Sequence, residues 1–249
     1  MKHKDIIRKE QGMRKPGKAA SRIMRMLRTG IREGMTGHDI NDLIENIIER
    51  NYPGYRLSSK GYNGFPASSC ISVNDGIVHG IPSDRVIQNG DLVKVDIVVD
   101  YRGWYADTAR TFIVGETKPE GQKLVRTTEE ALYKSIQEAV PGKTTGDIGY
   151  VVQKYIEKEG FSVMTDYCGH GIGRSMHTDP QVPNYGKRGR GVLLREGMAI
   201  AIEPMAFTGA SDIAVADDGW TVVAIDHSLT AHFEHTVLIT GQGPVIITE

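Results

Sequence analysis

Residues 92 to 114 read LVKVDIVVDYRGWYADTARTFIV, and this stretch predicts the centre of the fold. Apolar residues take alternate positions from Val93 to Val99, as in a strand with one apolar face, and a second β-rich run follows the dipeptide Arg102-Gly103. A short link that contains glycine suits the turn of a β-hairpin. The stretch therefore predicts two antiparallel strands in which the numbers of opposed residues add up to about 205.

Two carboxylates, Asp96 and Asp107, come close together in this predicted hairpin. Asp96 lies opposite residue 109, so Asp107 is its diagonal neighbour on the same face, roughly 7 to 8 Å away at Cα. At that distance a cation must offset their repulsion, or one of them must hold a proton. Because Lys94 and Asp100 lie on the same face, a solvent-exposed polar face is the alternative interpretation.

The second half of the chain repeats this arrangement of carboxylates. Residues 90 to 96 match residues 197 to 203 at an offset of 107, and both runs begin with glycine and end in a carboxylate. A separate correspondence sets residues 105 to 107 over residues 232 to 234. Each triplet ends in a carboxylate and leads into a β-rich run. Each half thus contributes two strand carboxylates, and those of the second half are Glu203 and Glu234.

A predicted helix recurs in the same way. It begins after Thr36, a suitable N-cap, carries an apolar stripe from Ile40 to Ile48 and ends before Pro53-Gly54. At an offset of 108, six of the 18 pairs from position 34 to 51 are identical, although two helices with similar caps can match this well by chance. We therefore expect a single catalytic domain, residues 1–249, of the α/β (α+β) class, with two related halves at about 1–115 and 116–249.

One histidine and the four carboxylates together suggest a metal site. Glu203 interrupts an apolar run, and a lone buried carboxylate there is costly unless it has a partner. His170 lies in the sequence CGHGIG, where glycines on both sides let the backbone come close to a ligand, although a lone histidine is more often a structural hydrogen bonder. Oxygen-rich sites with one imidazole suit divalent Mn, Fe, Co or Zn, and carboxylates can bridge two such ions.

Five short motifs give the chain a resemblance to a known family. From about residue 15 to 245, the sequence resembles the type I methionine aminopeptidases of the pita-bread metallopeptidase family, in their bacterial form. The resemblance implies a pita-bread fold, in which two pseudo-symmetric halves share a central antiparallel sheet backed by helices. The motifs are CISVN (70–74), HGIP (79–82), GHGIG (169–173), IEP (202–204) and EHT (234–236).

The resemblance also implies a function and a set of site residues. The implied activity is removal of the initiator methionine from nascent proteins by dinuclear metal-assisted hydrolysis, with a preference for small second residues and two divalent ions (Co, Mn, Fe or Zn) as cofactors. The implied metal ligands are Asp96, Asp107, His170, Glu203 and Glu234. The implied catalytic residues are His79, His177 and Glu203, and the implied substrate contacts are His79, His177, Tyr62, Phe65, Cys70 and Trp220.

Some positions depart from the family pattern. Met176 stands where the bacterial enzymes usually carry an aromatic residue, and Phe65 replaces a common tyrosine. Only 30 residues separate Glu203 from Glu234, which leaves no room for the insertion of the type II enzymes. The N-terminal region also lacks the cysteines of the zinc-binding extension that many eukaryotic type I enzymes carry.

Two alternative functions belong to the same fold. A proline-directed aminopeptidase can use the same five ligands, but such relatives usually carry a long N-terminal domain, and here fewer than 70 residues precede Cys70. A non-catalytic pita-bread binding protein is the other alternative, but such relatives typically lose ligands, and this chain retains all five. Single residues also have structural alternatives: His177 can be a structural histidine, and Cys70 a small buried hydrophobe.

Positive charge is concentrated at the N terminus. Residues 1 to 35 hold 11 Lys/Arg and three acids, whereas the net charge of the whole chain is -1, which argues against a globally basic nucleic-acid binder. Apolar residues at helical spacing leave Arg22, Arg25 and Arg28 on other faces of a predicted helix. The segment is therefore either a solvated helix face or a surface that docks near ribosomal RNA.

The sequence also indicates the cellular compartment of the protein. No window approaches the ~18 consecutive apolar residues of a membrane-spanning helix, and the basic start lacks the apolar run of a signal peptide. Only Cys70 and Cys168 occur, too few for a disulfide framework, and free thiols fit a reducing compartment. We expect a cytoplasmic protein that has no membrane span and acts on nascent polypeptides as a monomer.

Overall fold

The computed structural model describes residues 3 to 249 and contains four α-helices and fifteen strands in that range. The helices are α1 (His3–Gly30), α2 (Gly37–Asn51), α3 (Pro119–Ile136) and α4 (Thr145–Lys158). The strands are β1 (Tyr55–Leu57), β2 (Cys70–Val73), β3 (Gly76–Val78), β4 (Leu92–Tyr101), β5 (Trp104–Ile113), β6 (Ser162–Val163), β7 (Cys168–Gly171), β8 (Thr178–Pro183), β9 (Ala199–Ile202), β10 (Met205–Phe207), β11 (Ile213–Val215), β12 (Val222–Ala224), β13 (Thr230–His232), β14 (His235–Thr240) and β15 (Gly243–Ile246).

The longest strands, β4 and β5, form the hairpin that the sequence predicts. Their turn is Arg102-Gly103, with φ angles of 53° and 71°, the left-handed backbone that a two-residue hairpin turn requires. Strand β4 also pairs with β1 and β2, so it lies inside a four-stranded sheet. A five-stranded sheet in the order β15-β14-β9-β7-β8 stands in the corresponding place in the second half. All strand pairs within residues 3 to 249 are antiparallel.

Each of the two larger sheets is covered by two helices. Helices α1 and α2 pack on β4 through side chains such as Ile23 and Ile44, and the arginines of α1 point to solvent, as the apolar spacing predicts. Helices α3 and α4 pack on β9 and β14 through side chains such as Leu132 and Ile148. The two helical layers bury the apolar faces of the sheets and leave their opposite faces for a site between the halves.

The related halves of the sequence have matching local structure. Thr36 and Thr144 are both N-caps with complete capping boxes, closed by Asp39 and Asp147 three residues later. Thr36 also forms a β-bridge with Val86, and Thr144 forms one with Leu193 at nearly the same offset. This local correspondence supports our proposal of one domain built from two related halves.

The remaining expectations concern membranes and cysteines. Within the described residues, no helix is both long and apolar enough to cross a bilayer. Cys70 and Cys168 are both free thiols.

Candidate active site

Asp96 and Asp107 occupy one face of the hairpin. Asp96 pairs with Ala109, which makes Asp107 its diagonal neighbour, as the sum of about 205 predicts. The alternative of a solvent-exposed polar face is wrong, because Lys94 and Asp100 on the same face are each 1% exposed. The second half of the chain covers this face, mainly with β13 and β14.

His170 lies on β7 at an irregularity in the pairing with β8. The flanking glycines are needed there, but for a different reason from the one the sequence suggests. A Cβ on Gly169 would lie 2.3 Å from the carbonyl oxygen of Ala201, and a Cβ on Gly171 would lie 2.1 Å from that of Asp179. The two glycines therefore admit the neighbouring protein backbone, and this close packing fixes the position of the imidazole.

Glu203 and Glu234 each lie at the end of a strand of the second half. Glu203 directly follows β9, and Glu234 directly precedes β14 in the short link that joins it to β13. The backbone N–H of Glu234 donates to the carbonyl of Ala109 on β5, and the hydroxyl of Thr108 donates to the carbonyl of Glu234. These bonds connect the two halves beside Asp107. The carboxylates of both halves therefore meet at the interface between the halves.

The five residues predicted from the sequence come together in one cluster. Three overlapping groups have ligand atoms within 4.8 Å of one another, and the five residues are linked through them. The imidazole Nε2 of His170 lies 3.6 Å from Asp107 Oδ2 and 3.7 Å from Glu203 Oε1. The overlapping groups are Asp107, His170 and His177; His170, Glu203 and Glu234; and Asp96, Asp107 and Glu234.

Burial and mutual repulsion oppose the negative charge of this cluster. Burial, together with the neighbouring carboxylates, raises the pKa of Asp96 and of Glu234 well above the usual range. Burial likewise raises the pKa of Glu203 to about 8. Burial disfavours a charged His170, but Asp107 and Glu203 outweigh it and raise the pKa of His170 to about 9. Without bound cations, protons on these side chains therefore offset the negative charge of the cluster.

The donor set of the cluster fits divalent metal ions. Asp107 Oδ1 and Glu234 Oε1 are buried and have no hydrogen-bond partner among the described residues. Buried carboxylate oxygens without partners are costly, and coordination to a metal removes that cost. Four carboxylates and one imidazole match the preference of Mn, Fe, Co and Zn ions for oxygen and nitrogen ligands.

A cavity of about 570 Å³ opens onto this cluster. Its wall includes every substrate-contact residue that the sequence predicts, and also Met176. Phe65 and Trp220 meet edge to face with ring centroids 5.2 Å apart. Cys70 is both buried and part of the wall, and burial raises the pKa of its thiol well above the usual range. The predicted wall residues are Tyr62, Phe65, Cys70, His79, His177 and Trp220.

Two neutral imidazoles, His79 and His177, flank the cluster. The Nδ1 atom of His177 lies 2.8 Å from the Tyr62 hydroxyl, and its ring centroid lies 4.1 Å from that of His170. Burial and the neighbouring His170 lower the pKa of His177 to about 4, and burial lowers the pKa of His79. His79 has a φ of 57°, an uncommon backbone conformation that is often found at functional sites.

Sequence reasoning missed two residues close to the cluster. Tyr167 lines the cavity, and its ring packs edge to face on His79 with centroids 5.3 Å apart. His232 is buried, and its Nε2 lies 3.9 Å from Glu203 Oε2. A signal existed for His232, because a strand places residues two apart on the same face and His232 stands two before Glu234. Tyr167 belongs to no motif and only precedes the glycine-rich sequence around His170.

Comparison with known proteins gives consistent similarities over nearly the whole chain. The model of metallopeptidase family M24 matches residues 11–241. The methionine aminopeptidase of Clostridium perfringens is 44% identical over 236 residues, which cover 95% of this chain and 94% of that protein. The crystal structure of methionine aminopeptidase from Thermotoga maritima has a TM-score of 0.94 at 45% identity, covering 97% of this chain and 96% of that one.

A more distant comparison extends only to the fold. The prolidase from Pyrococcus horikoshii has a TM-score of 0.77 at 24% identity and is matched over 62% of its length by 97% of this chain. Taken together, the solved structures confirm the expected pita-bread fold of antiparallel sheets backed by helices.

Proposed function

This chain belongs to metallopeptidase family M24, and on that basis we propose that it is a metal-dependent methionine aminopeptidase. It hydrolyses the peptide bond after the initiator methionine of nascent proteins and prefers a small second residue. The observation that carries this proposal is the complete cluster of four carboxylates and one imidazole, buried or half-buried, beneath a cavity of suitable size. Relatives named methionine aminopeptidase at 44% identity support the choice of substrate.

Two divalent ions, of Co, Mn, Fe or Zn, are the proposed cofactors. Asp96, Asp107, His170, Glu203 and Glu234 hold them, because these side chains converge within coordination reach and two of their oxygens lack other partners. When bound, the ions supply Lewis-acid chemistry that brings the pKa of water toward neutrality and polarises the scissile carbonyl. The four carboxylates also give the site a negative charge that attracts the ammonium group of the substrate.

The chain's own residues supply proton transfer and hydrogen bonds. Glu203 lies on the cavity wall, and it carries a proton from the attacking water toward the leaving amine. His79 and His177 donate hydrogen bonds to the oxygen on which negative charge develops, a role that their neutral imidazoles can fill. Tyr62 orients His177 through the contact between its hydroxyl and Nδ1.

The proposed methionine pocket is the apolar part of the cavity. Phe65 and Trp220 provide two perpendicular aromatic walls, and Tyr62 forms part of the rim. Cys70 and Met176 contribute sulfur atoms, which are polarizable and pack well against the thioether of a methionine substrate. Met176 and Phe65, the two departures from the family pattern, therefore both line the place where the methionine side chain binds.

Substitution at two ligands tests the assignment. Alanine at His170 or at Glu234 removes a ligand and should abolish turnover of a Met-Ala-Ser peptide, while circular dichroism shows an intact fold. His227 offers a matched control, because its side chain is 82% exposed, its ring pairs with Asp75, and it does not line the cavity. Alanine at His227 should leave turnover unchanged, whereas full activity of either ligand variant contradicts the proposal.

The two alternative functions predict other results. A proline-directed enzyme would cleave Xaa-Pro peptides faster than Met-Ala peptides, and the similarity to the prolidase supports only the shared fold. A non-catalytic binding protein would remain inactive on both peptides after divalent ions are restored. A direct comparison of the two peptides with Mn²⁺-loaded protein distinguishes the three functions.

We also propose that helix α1 docks on ribosomal RNA, where nascent chains emerge. Arg22, Arg25 and Arg28 are exposed, as predicted. A cavity of about 660 Å³ between α1 and the β4–β5 turn adds further cations, and no carboxylate lines it. Those lining residues are Arg8, Gln11, Gly12, Arg14, Lys15, Lys18, Tyr101, Arg102, Trp104 and Arg174.

Salt and charge reversal test this docking. Binding through several phosphate contacts should weaken steeply between 50 and 200 mM salt, by roughly 10³-fold for six contacts. Glutamate at Arg22, Arg25 and Arg28 together should reduce co-sedimentation with ribosomes but leave turnover of a short peptide unchanged. Co-sedimentation that is unaffected by the three substitutions contradicts the proposed surface. We propose that the enzyme works there as a cytoplasmic monomer, which light scattering after size-exclusion chromatography can test.

A further inference from the structure

His232 is a buried histidine to which the proposed function gives no role. It ends strand β13, two residues before Glu234, and its side chain is 2% exposed. Neither ring nitrogen has a hydrogen-bond partner among residues 3 to 249. Because a buried polar group without a partner is costly, an imidazole retained in this state points to an interaction that forms when the site is complete.

Glu203 is the neighbour that such an interaction requires. Its Oε2 lies 3.9 Å from His232 Nε2, and its Oε1 lies 3.7 Å from His170 Nε2. The Glu203 carboxylate is thus placed between two imidazoles, one facing each oxygen. A hydrogen bond between nitrogen and oxygen has a length of about 2.9 Å, so a movement of about 1 Å brings His232 into bonding distance.

The backbone of His232 is held in place from two sides. Its N–H donates to the hydroxyl of Thr111 on β5, and that hydroxyl donates in turn to its carbonyl oxygen. On the other side, His232 pairs with Met205 on β10, two residues after Glu203. The backbone of His232 is therefore fixed relative to both Asp107's strand and the segment that carries Glu203, so a small side-chain movement is enough to close the gap between the imidazole and the carboxylate.

We propose that His232 is a positioning residue that donates a hydrogen bond from Nε2 to Glu203 Oε2. This bond would orient the carboxylate so that Oε1 stays directed toward His170, with which Glu203 would hold an ion. The inference rests on the proposed function, because it assumes that Glu203 is a metal ligand. Residues that hydrogen-bond metal ligands typically contribute about 10- to 100-fold to metal affinity or activity, and we expect an effect of that size here.

Two substitutions separate the donor from the bulk of the ring. His232→Leu keeps a similar volume but removes the donor, and it should weaken Mn²⁺ binding by about 10- to 100-fold in calorimetric titration. It should also lower kcat for Met-Ala-Ser about 10-fold or more while KM stays within about twofold. His232→Gln restores an N–H of similar reach and should recover most of both losses. The absorption spectrum of Co²⁺-loaded protein should change in the leucine variant and return in the glutamine variant.

His235 provides the matched control. It is also buried, but its ring contacts Thr248 and Tyr133 and none of the clustered carboxylates. His235→Leu should lower the unfolding temperature and leave Mn²⁺ affinity unchanged. If His232→Leu fails to fold, His232→Asn takes its place in the comparison with His232→Gln. Asparagine is too short to reach Glu203, so Mn²⁺ affinity should be lower in the asparagine variant than in the glutamine variant.

Two results would overturn the inference. One is wild-type Mn²⁺ affinity and kcat in His232→Leu. The other is equal losses in the glutamine and leucine variants, because the hydrogen-bond donor would then have no effect. Failure of the proposed function looks different: wild-type protein would bind Mn²⁺ without cleaving the peptide. In that case the comparison of Mn²⁺ affinities still decides whether His232 positions Glu203.

Discussion

Replacement of Gly171 by alanine perturbs the site without touching any chemical group in it. The added Cβ would lie 2.1 Å from the carbonyl oxygen of Asp179, and close contacts of this kind normally begin at about 3.4 Å. The two strands β7 and β8 must therefore separate by about 1.3 Å beside His170. A misplacement of 1 Å at a catalytic group can cost about 100-fold in rate, and overpacking costs about 1 to 3 kcal/mol of stability.

We predict that Gly171→Ala loses about 100-fold in kcat/KM for Met-Ala-Ser and binds Mn²⁺ more weakly. Its unfolding temperature should fall by roughly 2 to 4 °C per kcal/mol lost. Gly173 gives the matched control in the same segment, because a Cβ there meets only the flexible Lys9 side chain at 3.5 Å. Kinetics, Mn²⁺ titration and thermal melts check both variants. Wild-type kinetics in Gly171→Ala, or equal losses in Gly173→Ala, would show that the close packing at Gly171 does not fix the position of His170.

Three further predictions follow from other parts of the structure. Phe65→Ala should lower kcat/KM for Met-Ala-Ser about 10-fold by opening the methionine pocket, whereas Phe161→Ala, equally buried but outside the cavity, should not. Although burial opposes ionisation of Asp147, hydrogen bonds from Thr144 and Gly189 hold its pKa below the usual value. Because the pKa is lower in the folded state, the charge stabilises the fold above the unfolded-state pKa of about 3.9 and this stabilisation is lost as the pH falls below it. Asp147→Asn should therefore lower the unfolding temperature at pH 7 and lose this effect once the pH falls below the lowered pKa of Asp147 in the folded protein. Removal of divalent ions with a chelator should lower the unfolding temperature of the wild-type protein by about 5 to 10 °C, and no shift would mean that the folded protein binds no ion tightly.

The carboxylate cluster is predictable from the sequence because its signal lies in regular strands. The period of two and the short turn place Asp107 diagonally opposite Asp96, and the structure has this register. The offset of 107 between the two halves predicts Glu203, and the match of residues 105–107 with residues 232–234 predicts Glu234, and neither needs knowledge of tertiary structure. Helix α2 was predictable for a similar reason, since Thr36 and the apolar stripe define its start and its buried face.

Other features depend on contacts that a linear pattern does not contain. The glycines around His170 suggested an approach by a ligand, but they admit the carbonyls of Ala201 and Asp179 from neighbouring strands. The burial of Lys94 was unexpected, because an alternating strand pattern does not tell which face another sheet will cover. Tyr167 reaches the cavity only through the path of the chain before β7. These contacts form between segments that are distant in the sequence, so the sequence pattern alone does not predict them.

We propose that five side chains from both halves hold two divalent ions. Anomalous X-ray diffraction from Mn²⁺-soaked crystals would locate these ions directly. We expect two anomalous peaks within the cluster, about 3.5 to 4 Å apart. A cluster without any peak at saturating Mn²⁺, or peaks confined to other parts of the molecule, would mean that these five side chains do not hold the ions.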